Sequence, residues 1–159
     1  MGTTFLEMRR PAEHRRKPWT RAEIDIREER DWRVNRAFYA LVGRSWKWTA
    51  RGEWTEEQWR EFAEDPAVRT WIARRGADLA GYFELRREGD EVEIVSFGLA
   101  PDFTGQGLGG EFLSRALDEA WGWGATRVWL HTCSLDHPAA IPNYLGRGMR
   151  IYKRVEEIL

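Results

Sequence analysis

Four glycines, Gly105, Gly107, Gly109 and Gly110, crowd between an apolar run and a helical stripe. The run is Val92 to Leu99; the stripe is Phe112, Leu113, Ala116, Leu117, Ala120 and Trp121, apolar pairs recurring every four residues. A chain that passes from a strand through such a turn into a helix aims several backbone N–H groups at one point. It adds the positive end of the helix dipole, so the turn makes a seat for a phosphate or diphosphate. A Walker loop is excluded, because Gly109-Gly110-Glu111 supplies neither the phosphate lysine nor the magnesium-binding hydroxyl. The spacing Gly105-Gln106-Gly107-Leu108-Gly109-Gly110 satisfies a dinucleotide fingerprint literally, but it falls late in the chain, after what reads as an antiparallel meander, and does not open a βαβ unit.

The elements around the turn are legible from periodicity. Trp32, Val34, Ala37, Phe38, Leu41 and Val42 predict a helix from Asp31 to a stop at Gly43. Thr55 and Gln58 form a capping-box pair that opens a second, short helix ending near Pro66. Val68 to Arg75, Leu79 to Arg86 and Val92 to Leu99, separated by short Gly/Asp turns, predict three antiparallel strands. Beyond the glycine turn and its helix, Arg127 to Cys133 reads as a buried strand, Pro138 to Leu145 as a short helix and Met149 to Val155 as a last strand. The expected class is a mixed α/β (α+β) fold, a mostly antiparallel central sheet flanked by helices, as one domain over 1–159. Residues 9–30, crowded with charge and including Arg15-Arg16-Lys17, read as a solvated loop or arm. A basic run of this kind can touch an anionic ligand, but an exposed face is its commoner meaning.

The stretch from Glu93 to Gly109 resembles the central strand and diphosphate loop of the GCN5-related N-acetyltransferases. That family's loop reads Gln/Arg-x-x-Gly-x-Gly/Ala; here Thr104-Gly105-Gln106-Gly107-Leu108-Gly109 keeps both glycines and puts Thr104 at its head. A second family motif, Asn-x-x-Ala-x-x-x-Tyr-x-x-x-Gly-Phe, is matched by Ala140, Tyr144 and Gly148, with His137 and Met149 as substitutions. The resemblance runs from about Asp65 to the end of the sequence.

The resemblance implies a cosubstrate, acetyl-CoA, and a set of roles. The backbone of Phe97, Gly98 and Leu99 would pair with the pantetheine arm and polarise the thioester carbonyl. Thr104, Gly105, Gln106, Gly107, Leu108, Gly109 and Gly110 would hold the diphosphate. Tyr144 matches the tyrosine that faces the thioester sulfur, and a phenol of ordinary pKa near 10 can give a proton to a departing thiolate. Glu93 matches a glutamate that deprotonates the amine in protein-acetylating members; by strict alternation it lies on the same strand face as Phe97. An outward strand carboxylate is the plainer reading of Glu93, and Glu84 is a weaker candidate base.

Other chemistry is disfavoured. His131, Cys133 and His137 make an incomplete ligand set, so no metal is expected. A single cysteine excludes an internal disulfide, and a formal net charge of −1 leaves no basic field for nucleic acid. No apolar run suits a secretory signal or a membrane span, so a cytoplasmic protein without membrane or nucleic-acid partners is expected. Trp46, Trp48, Trp54 and Trp59 fall in the segment that walls the family's acceptor site, where they either contact an amine or fill the core. The expected activity is acetyl transfer to a small-molecule primary amine by direct attack in a ternary complex. A non-catalytic acyl-CoA-binding module and a protein-lysine acetyltransferase are the alternatives, and homodimers, common in the family, are not decided by these residues.

Overall fold

A computed structural model describes residues 2–46, 48 and 50–156. The elements run β1 (Gly2–Met8), β2 (Asp25–Glu29), α1 (Trp32–Trp46), α2 (Glu56–Glu64), β3 (Val68–Arg75), β4 (Asp78–Glu88) and β5 (Glu91–Leu99). They continue with α3 (Leu108–Gly122), β6 (Arg127–Cys133), α4 (Ala140–Gly146) and β7 (Arg150–Glu156). Among the described residues, seven strands form one sheet in the order β2-β3-β4-β5-β6-β1-β7, in which β5 and β6 are the one parallel pair.

Adjacent β4 residues show how the layers are built. Tyr82 packs against Phe38 and Val42 of α1, whereas Phe83 meets Phe112 of α3. Successive strand side chains point to opposite faces, so α1 covers one side of β4 and α3 the other. The α3 stripe is enclosed, with Phe112, Leu113, Ala116, Leu117 and Ala120 at 0% exposure and Trp121 partly buried at its end. The capping box forms as expected: Gln58 N donates to Thr55 Oγ1 at 3.2 Å and Thr55 N donates to Gln58 Oε1 at 2.8 Å.

Two strands fall where none was expected. Gly2–Met8 lies between β6 and β7 and places Leu6 and Met8 in the core. Asp25–Glu29, inside the segment read as a solvated arm, is an edge strand on β3. The rest of that arm is largely exposed, as expected, but it is held in place. It is a strap laid along α3: Arg16 Nη2 reaches Asp118 at 2.5 Å, Lys17 N donates to Ser114 Oγ at 2.8 Å, and Thr20 N and Oγ1 donate to Glu111 Oε1 at 2.6 and 2.7 Å. Asp118, Ser114 and Glu111 lie on one side of the helix at i, i+3 and i+7 spacing, so the strap runs towards the glycine turn. The first helix also passes Gly43, at which a stop was expected, and ends at Trp46.

Candidate active site

The site begins with a parting of strands. β5 and β6 pair only through Glu91↔Arg127, Val92↔Val128 and Glu93↔Trp129, while the other edge of β5 stays paired with β4 up to Leu99↔Gly81. Residues 94–99 therefore turn an edge of backbone groups, unpaired by β6, into the gap. A bulge at Val95 accompanies the parting, since Leu85 pairs with Ile94 and Glu84 with Ser96.

A cleft of about 350 Å³ occupies the gap and is lined in part by Phe97, Gly98, Leu99, Thr104, Gly105, Gly107, Gly109, Gly110 and Tyr144. Gly107 caps α3 with φ +76°, in the left-handed region that glycine enters without strain, and Gly105 has φ +75°. At Gly98 the requirement is space, because an added Cβ would collide with Val42 Cγ1 of α1. Two loop residues do not line the cleft. The Leu108 side chain is buried in the core at 1% exposure, and Gln106 turns its amide to the carbonyl of Asp102 at 2.9 Å. The Thr104 hydroxyl donates to the carbonyl of Pro101 at 2.9 Å, so it folds the turn.

Tyr144 is 5% exposed and stands edge-on to Phe97, ring centroids 6.5 Å apart. Burial pushes its phenol well above the ordinary value, and the nearby Asp136 carboxylate pushes the same way, so the side chain holds its proton. Asn143, one residue earlier, donates to the carbonyl of Gly109 at 3.0 Å and ties α4 to the glycine turn. Asp136 lines the cleft and accepts from Thr132 Oγ1 at 2.7 Å and from His137 N at 2.9 Å.

The two candidate carboxylates lie elsewhere. Because Val95 is bulged, strict alternation fails: Glu93 pairs with Arg86, on the Tyr82 and Glu84 face of β4, whereas Phe97 pairs with Phe83 on the α3 face. Glu93 is therefore on the opposite face from Phe97. It accepts from Arg86 Nη2 at 3.2 Å and lies 3.8 Å from His131 Nε2, at the point where β5 and β6 part. Glu84 is fully buried, forked by Arg51 and hydrogen-bonded by Asn35 Nδ2 at 2.7 Å. It pins α1 and the segment after it to the sheet.

The tryptophans divide. Trp48 and Val42 wall the cleft, while Trp54 and Trp59 stack edge-to-face at 4.9 Å around the Arg51 guanidinium and fill the interior between helices. The Trp46 side chain is outside the described residues. No role is legible in the sequence for Arg147, Asp136 or Asn143, and Lys17 enters there only within a basic run able to touch an anionic ligand; all four line the cleft. The one signal for Lys17 was the Arg15-Arg16-Lys17 run; for Asn143 it was its place beside Tyr144. Among the described residues no group of three or more His, Cys, Asp or Glu is placed to hold a metal ion, and no helix is long and apolar enough to cross a membrane.

The sequence profile described as the Acetyltransferase (GNAT) family matches residues 17–149, and the chain belongs to that family. An uncharacterized N-acetyltransferase of Mycobacterium tuberculosis and its counterpart in Mycobacterium bovis are 35% identical over 71 residues, 44% of this chain and 46% of theirs. The match spans less than half the length of those relatives. A GCN5-related N-acetyltransferase from Kribbella flavida superposes with a TM-score of 0.67 at 18% identity, over 95% of this chain and 55% of that one. An aminoglycoside acetyltransferase from an uncultured soil metagenomic sample, in complex with trehalose, superposes with a TM-score of 0.68 at 12% identity, over 86% and 94%. These likenesses show the fold, a mixed sheet with flanking helices.

Proposed function

We propose that this chain is an N-acetyltransferase that moves the acetyl group of acetyl-CoA to a primary amine of a small molecule, by direct attack while both are bound. The observation that carries the reading is the free β5 edge, running from the parting of the strands straight into the glycine turn, with Tyr144 on the wall between them. An extended arm can add to that edge as a strand would, and the turn with the first turn of α3 suits a diphosphate.

The thioester supplies an activated acyl carbon. The backbone N–H groups of residues 97–99 orient its carbonyl oxygen and oppose the negative charge that develops there. The amine nitrogen bonds to the carbonyl carbon as the carbon–sulfur bond breaks. Glu93, on the other face of the sheet at the parting, takes the amine proton through water, and Tyr144 gives its proton to the departing sulfur. A phenol held protonated by burial suits that donation. The aminoglycoside acetyltransferases among the structural neighbours favour a small polyamine-like acceptor over a protein lysine.

The test is calorimetric titration with acetyl-CoA, using NADH and ATP as controls, followed by thiol-release assays across small amines, aminoglycosides and lysine peptides. Saturable binding of acetyl-CoA alone with thiol release on small amines is the expected result. Binding without release on any amine would make the chain a binding module, and no binding would overturn the reading.

A further inference from the structure

The strap reaches the glycine turn through Arg21, whose Nη2 donates to the carbonyl of Gln106 at 2.5 Å. Two of the strap's cations are neutralised by α3 where they lie, Arg16 by Asp118 and Arg21 by Glu111 at 3.3 Å. Lys17 is not. Its backbone N–H is fixed on Ser114, its side chain lines the cleft, and among the described residues it pairs with no carboxylate.

A second cation comes to the same place from the far end of the chain. Arg147 caps the C-terminus of α4, lines the cleft, and likewise has no carboxylate partner among the described residues. Its Nε is buried without a hydrogen-bond partner. The strap and the arginine are tied together, since Arg15 N donates to the Arg147 carbonyl at 2.8 Å. The two side chains converge over Gly110 in the first turn of α3. A Cβ there would stand 2.5 Å from Arg147 Nη1 and 2.9 Å from Lys17 Cδ, so the glycine makes room for the cations and not only for a ligand.

Two like charges brought together at the positive end of a helix repel one another, and the arrangement is stabilised only when an anion joins it. The residue at the head of the turn cannot do this work, because Thr104 is uncharged and its hydroxyl is spent on Pro101. We infer that Lys17 and Arg147 form a two-cation seat for the diphosphate of the acyl donor, and that the N-terminal strap is thereby a working part of the donor site. The inference rests on the acetyl-CoA reading above, and it extends that reading to residues outside the glycine turn. Two positive charges match the two negative charges of a diphosphate, and the planar Arg147 fork suits its oxygens.

The experiment is calorimetric titration of the full chain and of Lys17→Met, Arg147→Met and Arg147→Lys with three donors: acetyl-CoA, its 3′-dephospho form and S-acetylpantetheine, which has no phosphate. Each Met variant is expected to weaken both nucleotide donors by roughly tenfold or more. S-acetylpantetheine affinity should stay unchanged, and Arg147→Lys should recover part of the loss. Urea unfolding of each variant separates a lost contact from a damaged fold, and Lys17→Met, at an exposed position, carries the test if Arg147→Met unfolds. Unchanged acetyl-CoA affinity in folded variants overturns the inference while leaving the proposed function standing. A loss that disappears with the dephospho donor also overturns it, moving the seat to the 3′-phosphate. No binding of acetyl-CoA to the unaltered chain overturns the function and the inference together.

Discussion

Arg51 meets Glu84 through both terminal nitrogens, Nη1 to Oε2 at 3.1 Å and Nη2 to Oε1 at 2.9 Å, in an interior where the glutamate side chain is 0% exposed. The guanidinium is also ringed by Tyr39, Trp54, Trp59 and Phe62, the last 4.4 Å from ring centroid to Cζ. Removing one partner leaves a buried charge that Asn35 alone cannot compensate. Arg51→Met is expected to destabilise the fold by about 3–5 kcal/mol, and Arg51→Met with Glu84→Leu by clearly less. Urea unfolding of the two variants checks this; equal losses would mean that the pair is not what holds the segment after α1.

Glu111 gives the strap a dependence on pH. Burial alone would raise its carboxyl, but hydrogen bonds from Thr20 and Arg21 outweigh that and hold it below the ordinary carboxylate value. A carboxyl with a lowered folded pKa contributes stability that is fully present above its unfolded value, near 4.5, and is lost as pH falls through the folded one. Glu111→Gln should therefore be less stable than the unaltered chain at pH 7, with the gap closing in acid. Urea midpoints at pH 7 and pH 3 measure it, and a gap that persists in acid would assign the loss to something other than charge.

At Tyr144 the prediction separates chemistry from binding. Tyr144→Phe keeps the ring against Phe97 and removes only the phenolic hydroxyl, so kcat should fall on the order of 100-fold with the acetyl-CoA Kd within about twofold. Because burial holds the phenol protonated, the unaltered chain should show no falling limb from this residue up to about pH 10 in its rate of acetyl transfer. Single-turnover and binding measurements on both proteins decide the matter.

Glu93→Gln addresses the other proton. With Glu93 as acceptor of the amine proton, kcat/KM should drop roughly 100-fold at neutral pH and recover as the pH approaches the amine's own pKa, where the free base no longer needs help. A pH profile with a good small-molecule acceptor reads this out. Uniform loss at every pH would assign Glu93 to holding Arg86 and the strand parting.

The parts of this molecule written in local pattern could be read directly: the Thr55–Gln58 capping box, the α3 stripe and the β3–β4–β5 meander. What escaped depends on partners far away in sequence. β2, with Asp25, Arg27, Glu28 and Glu29, has the charge of a solvated segment because it is an edge strand on which Ile26 alone packs against the core. The strap is exposed along much of its length, and what its pattern hides is the attachment, Arg16 and Arg21 being matched by Asp118 and Glu111 of α3, 102 and 90 residues on. The bulge at Val95 is the costliest omission for the site, since one extra residue moved Glu93 to the opposite face from Phe97 and no residue type announces it. Tyr144 and the glycine turn were legible as motifs, whereas the meeting of Lys17 and Arg147 required the path of the strap.

The place of β1 between β6 and β7 also sets an order of events during synthesis. The N–H of Gly2 donates to Ser134 Oγ, 132 positions later, and every strand that can pair with β1 comes from the last third of the chain. At the usual pace of translation, Leu6 and Met8 wait on the order of ten seconds for the strands that enclose them. The β2–β5 half of the sheet can assemble from neighbouring segments in the meantime. β1 is thus translated well before the strands that bury it, and through that interval its apolar residues are a natural site for chaperone capture.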